Sequence, residues 1–440
     1  MSPHLAFKKG GVHPADRKEL SAQAPITPLA APETVVVPLA QHIGAPTRPL
    51  VKKGDEVKVG QVLAEPGGFV STVIHSPVSG KVKKLADVPT AGGERTPAIE
   101  IVNDGLDTWI EGVDLDATDI DFSTSATFKD RIQKAGIVGM GGAAFPTHVK
   151  LSPPPDSPVD ALVINGAECE PYLTADYRLM LEQPREALLG IKAMQLVLGV
   201  DTVLVGVEDN KPDAYEAMKL AATGELAHIQ VHMLRTRYPQ GAEKQLIEAL
   251  LGRRVPPGKL PFAVGVIVQN VGTAFAVFEA LAKNKPLIER VVTVTGRAVG
   301  KPSNFRVRIG TPVSALLAAA EVSEDAVRAM ISGGPMMGRA FRHTDIPVVK
   351  ATSGILLMSA DEFVARQEQD CIRCGRCVDT CPMGLVPCDL AAYAEFSEWE
   401  QASSGDNCVE CGSCQYVCPS RRFLVQWIRL AKAQRRRLKK

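Results

Sequence analysis

The chain has 440 residues, 45% of them hydrophobic and 22% charged, with a formal net charge of +1. That length exceeds one ordinary core and implies about three to five domains. The near-neutral balance excludes a globally basic nucleic-acid binder, and the polar opening "SPHLAFKKGGVHP", broken by proline, lacks the apolar stretch of a secretory signal.

In chain order, residues 1–32 read as an N-terminal extension. Residues 33–110 follow as short β-rich runs separated by Gly-Asp turns, including "VKKGDEVKVGQVLAE" and "IHSPVSGKV", the pattern of a hairpin sandwich. No Met-Lys or Asp-Lys tip occupies the second hairpin, so the module reads as a docking unit rather than a swinging-arm carrier. Residues 120–287 begin with "TFKDRIQKAG", a helix pattern with Phe128, Ile132 and Ala135 on one face.

The stretch "GIVGMGGAAFPTHVK" then fits the dinucleotide fingerprint G-x-G-x-x-G/A through Gly139, Gly141 and Ala144. A dinucleotide loop runs strand, glycine turn, helix. Here a helix precedes the glycines, Pro146 blocks an uninterrupted helix after them, and the strand candidate "DALVINGAECEP" comes last. The match is therefore false in its usual sense. Bare glycines permit either close backbone approach to a ligand or a tight turn of positive φ, and Lys150 would add charge for a phosphate. The uncharged run over 260–278 is divided by Gln269, Asn270, Gly272 and Thr273. It reads as a strand over 263–268, a turn and a helix from about Thr273, not as a membrane span.

Residues 288–352 show strand, turn, strand, helix and read as a structural spacer; their "SGGPMMGRA" lacks the strand–helix context of a nucleotide loop. Nine of the ten cysteines follow position 370, which marks a metal module rather than a disulfide framework. Within residues 360–422, Cys371, Cys374, Cys377 and Cys381 have the spacing C-x2-C-x2-C-x3-C-P, and Cys408, Cys411, Cys414 and Cys418 repeat it. This is the spacing of two-cluster ferredoxins, in which the fourth cysteine of each run serves the other cluster. One [4Fe-4S] cluster then takes Cys371, Cys374, Cys377 and Cys418; the other takes Cys408, Cys411, Cys414 and Cys381. Structural zinc, held by four ligands, does not suit eight cysteines in two such runs. Cys169 and Cys388 read as ordinary buried thiols. The helical "LVPCDLAAYAEFSEWEQA" separates the runs. Residues 423–440 read as a basic amphipathic helix with Phe423, Leu424, Trp427, Ile428 and Ala431 on its apolar stripe. Such a helix binds an anionic membrane surface or an acidic partner, the favoured reading, or packs its stripe on the cluster domain.

The order helix, "GxGGAxFPTxxK" loop, strand and "NGAECEP" turn resembles the NADH- and FMN-binding subunit of respiratory complex I. "YPQGAEKQLIEALLGRR" and "VQNVGT" extend that resemblance across the domain. It implies FMN contacts at Gly139, Gly141, Gly142, Lys150, Asn165, Glu168, Gly241, Asn270 and Thr273. It places Phe145 and Glu170 on the nicotinamide or adenine side and Glu243 between the two rings, with Glu243 and Phe145 as catalytic residues. The chain departs from the pattern at Met140, Ala167 and Ala242, where the family has Arg, Asp and Glu. Residues 33–110 resemble a biotinyl/lipoyl-type barrel-sandwich, and 288–352 the β-grasp (SLBB) domain of complex I.

The fold class is thus multidomain α/β and α+β: barrel-sandwich, α/β flavin/NADH domain, β-grasp domain and helical ferredoxin-type domain. The whole order resembles the RnfC family of the Rnf electron-transport complex. That resemblance implies an NADH-linked oxidoreductase subunit of an ion-translocating complex, with FMN and two [4Fe-4S] clusters. It further implies a peripheral place on the cytoplasmic face of the bacterial inner membrane, contact with other membrane and peripheral subunits, NAD(H) as substrate, ferredoxin as an indirect partner, and no nucleic acid. Two alternatives share these modules: the cobalamin reductase of a diol-utilising microcompartment, and a non-catalytic iron–sulfur relay or scaffold with an empty flavin site.

Overall fold

The computed structural model of the chain describes residues 5–363 and 367–438. Its scaffold is a four-stranded parallel sheet in the order Gln230–Leu234, Thr202–Glu208, Ala161–Gly166, Val266–Asn270. The strand Ala161–Gly166 is interior, and Ala161, Leu162, Val163 and Ile164 are fully buried, as a parallel strand covered on both faces requires. Helices Pro184–Leu198 and Val271–Ala282 share the core on one face, and Leu246 and Ile247 of helix Glu243–Leu251 pack with Val163 and Val268 on the other. The first two helices touch through Gly190, where a Cβ would lie 1.8 Å from the Ala274 carbonyl oxygen. The strand in 260–278 starts later than its composition implies. Residues Pro261–Val264 form a 3-10 turn ended by left-handed Gly265, and the helix begins at Val271. Among the described residues no helix is long and apolar enough to cross a membrane.

The barrel-sandwich stacks a sheet in the order Thr34–Pro38, Arg95–Asn103, Gly80–Pro89, Glu56–Val57 on the strands Arg48–Pro49, Val62–Glu65 and Ile74–His75. Val35, Val37, Leu63, Ile74, Ile99 and Ile101 fill the space between them. Its second hairpin tip is buried at Ser76 and Ser79, and the Pro77 carbonyl accepts from Arg308 Nη1 at 3.1 Å. The site of a carrier's lysine thus faces a neighbouring domain.

The β-grasp region forms a six-stranded sheet that recruits chain from outside 288–352. Ile26–Pro28 pairs parallel with Ser303–Arg308, and Gly354–Met358 pairs with Glu289–Thr295. Residues 5–32 are consequently built into the body rather than extended from it.

The cysteine runs lie on short helices, Arg376–Asp379 and Ser413–Tyr416, with Pro387–Glu395 between them. The final helix Leu424–Leu438 takes the second of the two courses open to its apolar stripe. Leu424, Val425, Ile428 and Ala431 are buried against Leu390, Ala391 and Ala394, so its apolar stripe belongs to the cluster domain's own core.

Candidate functional site

Gly139 opens a tight loop by donating to the Phe145 carbonyl at 2.8 Å, and Ala144 closes it onto the Gly139 carbonyl at 3.1 Å. Met140 anchors it from below. Its amide donates to Thr273 Oγ1 at 2.9 Å, and its carbonyl accepts from Arg290 Nη2 at 3.3 Å. The Met140 side chain is buried in the core. Beyond it Gly141, Gly142 and Ala143 are exposed, and Gly142 has φ +109° with nothing within 4 Å of where a Cβ would stand. The tip is bare backbone in open space, as the residue types required.

Around this tip the structure assembles most of the residues expected there. Asn270 caps helix Val271–Ala282 by accepting from the Gly272 and Thr273 amides, and its β-carbon lies 3.5 Å from the Cβ position of Gly141. Lys150, on the short helix Thr147–Lys150, forms an ion pair with Glu243, the first residue of helix Glu243–Leu251. Asn165 Nδ2 donates to the Gly241 carbonyl at 2.8 Å. Phe145 is half-buried beside the glycines.

Two acidic residues are engaged elsewhere. The Glu168 carboxylate accepts from the Asp176 and Tyr177 amides at 2.8 and 3.0 Å, capping helix Ala175–Glu182. The Glu170 carboxylate accepts from the Met336 and Met337 amides at 3.1 and 2.8 Å. Those amides sit in "SGGPMMGRA", the turn of the hairpin between Ala329–Ser332 and Arg339–Phe341. Burial pushes the Glu170 carboxyl up to about 7.

The buried polar layer beneath the loop was not legible in the sequence. Arg290 is 4% exposed, and burial lowers its pKa to about 10, opposed by the negative charge of Asp176. Burial and the neighbouring Glu168 raise Asp176, which accepts from Asn270 Nδ2 at 2.6 Å. Lys18, from the N-terminal segment, donates to the carbonyls of Glu168, Glu170 and Leu173 and so fixes the "NGAECEP" turn from inside. Its own pKa is lowered by burial. Cys169 lies in the same turn and receives the Gly241 amide at 3.3 Å; burial raises its pKa, so it is an inert thiol. Gln240, next to Gly241, is fully buried with neither amide atom bonded to another protein group.

The eight motif cysteines gather into two groups drawn from both runs. Cys371, Cys374, Cys377 and Cys418 line one cavity; Cys381, Cys408, Cys411 and Cys414 line another. The two runs wind alike. Arg373 and Glu410 are left-handed, as are Gly375 and Gly412, and these reversals curl each loop so that its sulfurs converge. The second residue after the first cysteine donates its amide to that sulfur, Arg373 to Cys371 at 3.4 Å and Glu410 to Cys408 at 3.3 Å. The fourth residue after the last cysteine does the same, Leu385 to Cys381 at 3.3 Å and Arg422 to Cys418 at 3.4 Å. Such amide donors stabilise thiolate sulfur and tune a bound cluster. Cys388, expected as a plain buried thiol, stands in the wall of the first cavity.

The surroundings differ. Cys371 and Cys374 are exposed, whereas Cys381, Cys411 and Cys414 are buried. The second group abuts the rest of the molecule: Tyr238 Oη donates to the Cys411 carbonyl at 2.6 Å, and a Cβ at Gly412 would lie 2.6 Å from the Met336 carbonyl.

Comparison with known proteins gives four matches along the chain: an RnfC barrel sandwich hybrid domain over 6–106, a Nuo51 FMN-binding domain over 132–279, an SLBB domain over 291–340 and a 4Fe-4S dicluster domain over 370–421. The chain is 48% identical to the C subunit of the proton-translocating ferredoxin:NAD(+) oxidoreductase complex of Clostridium ljungdahlii, over 97% of this chain and 94% of that one. It is 47% identical to the C subunit of the Na(+)-translocating complex of Acetobacterium woodii, over 99% of each. The C subunit of an ion-translocating oxidoreductase complex from Rhodobacter capsulatus is 41% identical, over 90% of this chain and 76% of that one. In fold, a solved NAD+-reducing [NiFe]-hydrogenase in its H2-reduced state matches with a TM-score of 0.50 at 18% identity, over 70% of this chain and 63% of that one.

Proposed function

The chain belongs to the RnfC family, the C subunits of ion-translocating ferredoxin:NAD(+) oxidoreductase complexes, and on that premise we propose how its residues divide the work. It is an oxidoreductase subunit that uses FMN, two [4Fe-4S] clusters and NAD(H). Bound flavin exchanges two electrons with a nicotinamide and one at a time with clusters, so the pair of cofactor types joins hydride chemistry to a one-electron chain.

In our reading the exposed backbone of Gly139, Gly141 and Gly142 admits the flavin, and Lys150 supplies the positive charge for its phosphate. Asn270, Thr273 and Asn165 act one step back, holding the glycine loop and the Gly241 loop in place through the bonds above. Glu243, held by Lys150, presents a carboxylate at the mouth of the site, and Phe145 offers a ring beside the glycines. Glu168 and Glu170 act as braces, because their carboxylates are already bound to backbone amides. The residues Met140, Ala167 and Ala242, where the complex I flavin subunit has charged side chains, are compatible with this site. Met140 contributes only its backbone, and Arg290 brings a guanidinium to it from beneath.

The two cysteine groups hold the clusters, with Cys371, Cys374, Cys377 and Cys418 on one and Cys381, Cys408, Cys411 and Cys414 on the other. The observation that carries this assignment is that each cavity is lined by three cysteines of one run and the last cysteine of the other. We place the chain on the cytoplasmic side of the bacterial membrane, where NAD(H) resides, held there by the other subunits. Arg436 and Arg437, exposed beyond the packed face of the last helix, are the part of the tail left to meet an anionic surface.

Anaerobic purification followed by iron, sulfide and flavin analysis tests the reading directly. The expected result is two clusters and one FMN per chain, with flavin absorbance bleached by NADH. A chain that holds both clusters but shows no NADH-dependent flavin bleaching would overturn it.

A further inference from the structure

The segment "FKKGGVHP", residues 7–14, contains two consecutive glycines. In the structure Gly10 and Gly11 are both left-handed, at φ +71° and +85°. A Cβ on Gly10 would stand 2.5 Å from the Thr380 carbonyl oxygen, 2.6 Å from the Cys381 carbonyl carbon and 2.7 Å from the Pro382 nitrogen. Gly11 donates its amide to the Thr380 carbonyl at 2.8 Å. The next residue, Val12, exchanges both backbone hydrogen bonds with Tyr238, at 2.8 and 2.9 Å. Tyr238 in turn donates its hydroxyl to the Cys411 carbonyl. Arg237 secures the segment from the same side, donating to the Phe7 carbonyl at 3.1 Å with its guanidinium 4.7 Å above the Phe7 ring.

These contacts converge on one place. Cys381 and Cys411 come from different runs but line the same buried cavity. The backbone of one is touched by Gly10, the backbone of the other by Tyr238, and Val12 bonds Tyr238 to the glycine segment. Tyr238 is three residues before Gly241, whose carbonyl Asn165 holds at the nucleotide site.

We propose that residues 10–12 and Tyr238 form a positioning clamp that registers the buried cysteine set against the nucleotide domain. Its action is on placement: it fixes the backbone of two ligands, one from each run, relative to the loop that carries Gly241. The two glycines are required because the segment must lie flat on the Cys381–Pro382 backbone in a conformation that L side chains rarely adopt. The inference rests on the ligand assignment proposed above.

The test uses the full chain with its cofactors, purified anaerobically, in the forms Gly10→Val, Tyr238→Phe and, as control, Lys8→Ala, an exposed residue of the same segment. Iron, sulfide and flavin in the unaltered chain test the ligand assignment itself. The clamp is read in two further ways. On rapid mixing with NADH, Gly10→Val should bleach its flavin at the unaltered rate while bleaching of the iron–sulfur absorbance slows by about tenfold or more, as displacement of a reacting partner implies. In the electron paramagnetic resonance spectrum of the reduced protein, one of the two cluster signals should shift in Gly10→Val and in Tyr238→Phe. The other signal, and both signals of Lys8→Ala, should stay in place. Unaltered iron–sulfur bleaching with unmoved spectra would overturn the clamp, as would equal disturbance of both signals. Should Gly10→Val fail to retain cofactors, Tyr238→Phe keeps the ring and decides the matter by its spectrum alone.

Discussion

The two cysteine runs share one spacing, one pattern of left-handed residues and one set of amide-to-sulfur bonds, yet the two cysteine sets drawn from them lie in different surroundings. Cys371 and Cys374 face solvent with Ile372 68% exposed between them. Cys381 and Cys411 are buried against the glycine segment, Tyr238 and the Met336 hairpin turn, and Cys414 against Leu424 and Val425. Local sequence therefore determines how a ligand loop is wound, while its environment is set by chain hundreds of residues away. For an electron carrier that difference is functional, since burial and hydrogen bonding set cluster potential and access.

The sharpest way to break the comparison is to remove one ligand from each set. Cys371→Ser and Cys411→Ser should each lose about half the iron, as expected for a pair of cubanes. Only Cys411→Ser should also destabilise the fold's interior, because it empties a buried cavity. Iron analysis with thermal unfolding separates the two. A chelator applied to the unaltered protein should likewise remove iron in two phases, the exposed set first; a single phase would erase the distinction.

The matched glycines give a cleaner contrast. Gly375 and Gly412 occupy the same place in the two runs with φ +77° and +81°. Alanine in that conformation costs roughly 1–2 kcal/mol at either. At Gly375 nothing lies within 4 Å of the new methyl, whereas at Gly412 it meets the Met336 carbonyl at 2.6 Å. Overpacking adds about 1–3 kcal/mol, so Gly412→Ala should be the more destabilising by that margin in denaturant titration. Equal effects would show that the Met336 turn yields freely.

How much of this was legible follows the same division. The spacing of the cysteines and the order helix, glycine loop, strand were readable because each depends on neighbours in sequence, while the exchange of the runs' last members is an expectation of the ferredoxin pattern. The burial of one cysteine group, the guanidinium of Arg290 beneath Met140, and the capture of Glu168 and Glu170 by backbone amides were not, because each joins separate segments of the chain. Lys18 shows the limit most plainly: nothing around it distinguishes it from a surface lysine, yet it holds two carbonyls of the "NGAECEP" turn and that of Leu173 just beyond it. The tail is ambiguous in a different way. Its basic, amphipathic pattern was read correctly, but the same apolar stripe serves a membrane or a protein core equally well, and Leu390, Ala391 and Ala394 were already present to cover it.

That tail now enters the comparison, for its charged side chains reach the ligand loop of the buried set. Lys432 donates to the Cys408 carbonyl at 3.0 Å and pairs with Glu410, which Arg429 also engages. Lys432→Met removes a charged donor from that carbonyl and should cost about 1.5–3 kcal/mol. The spectroscopic signal of the buried cluster should move with it, while that of the exposed cluster stays fixed.

The smallest expected effect concerns pH, and it is confined to the same collar. Glu170 has an ordinary carboxyl value of 4.5, which burial raises to about 7. A carboxyl whose pKa is raised on folding binds more protons in the native state than in the unfolded one between those two values. Its contribution to stability is therefore complete below about pH 4.5 and is lost as pH rises through about 7. Glu170→Gln cannot ionise, but it offers one oxygen where the Met336 and Met337 amides bond to separate carboxylate oxygens. It should flatten the stability profile between those limits while losing one of those two hydrogen bonds, about 1 kcal/mol at every pH. Thermal unfolding at pH 5 and pH 8 measures both quantities. A variant that kept the original slope would mean that the hairpin amides hold the ionised carboxylate as well as the neutral acid, and that the buried set sits in a more polar collar than its burial implies.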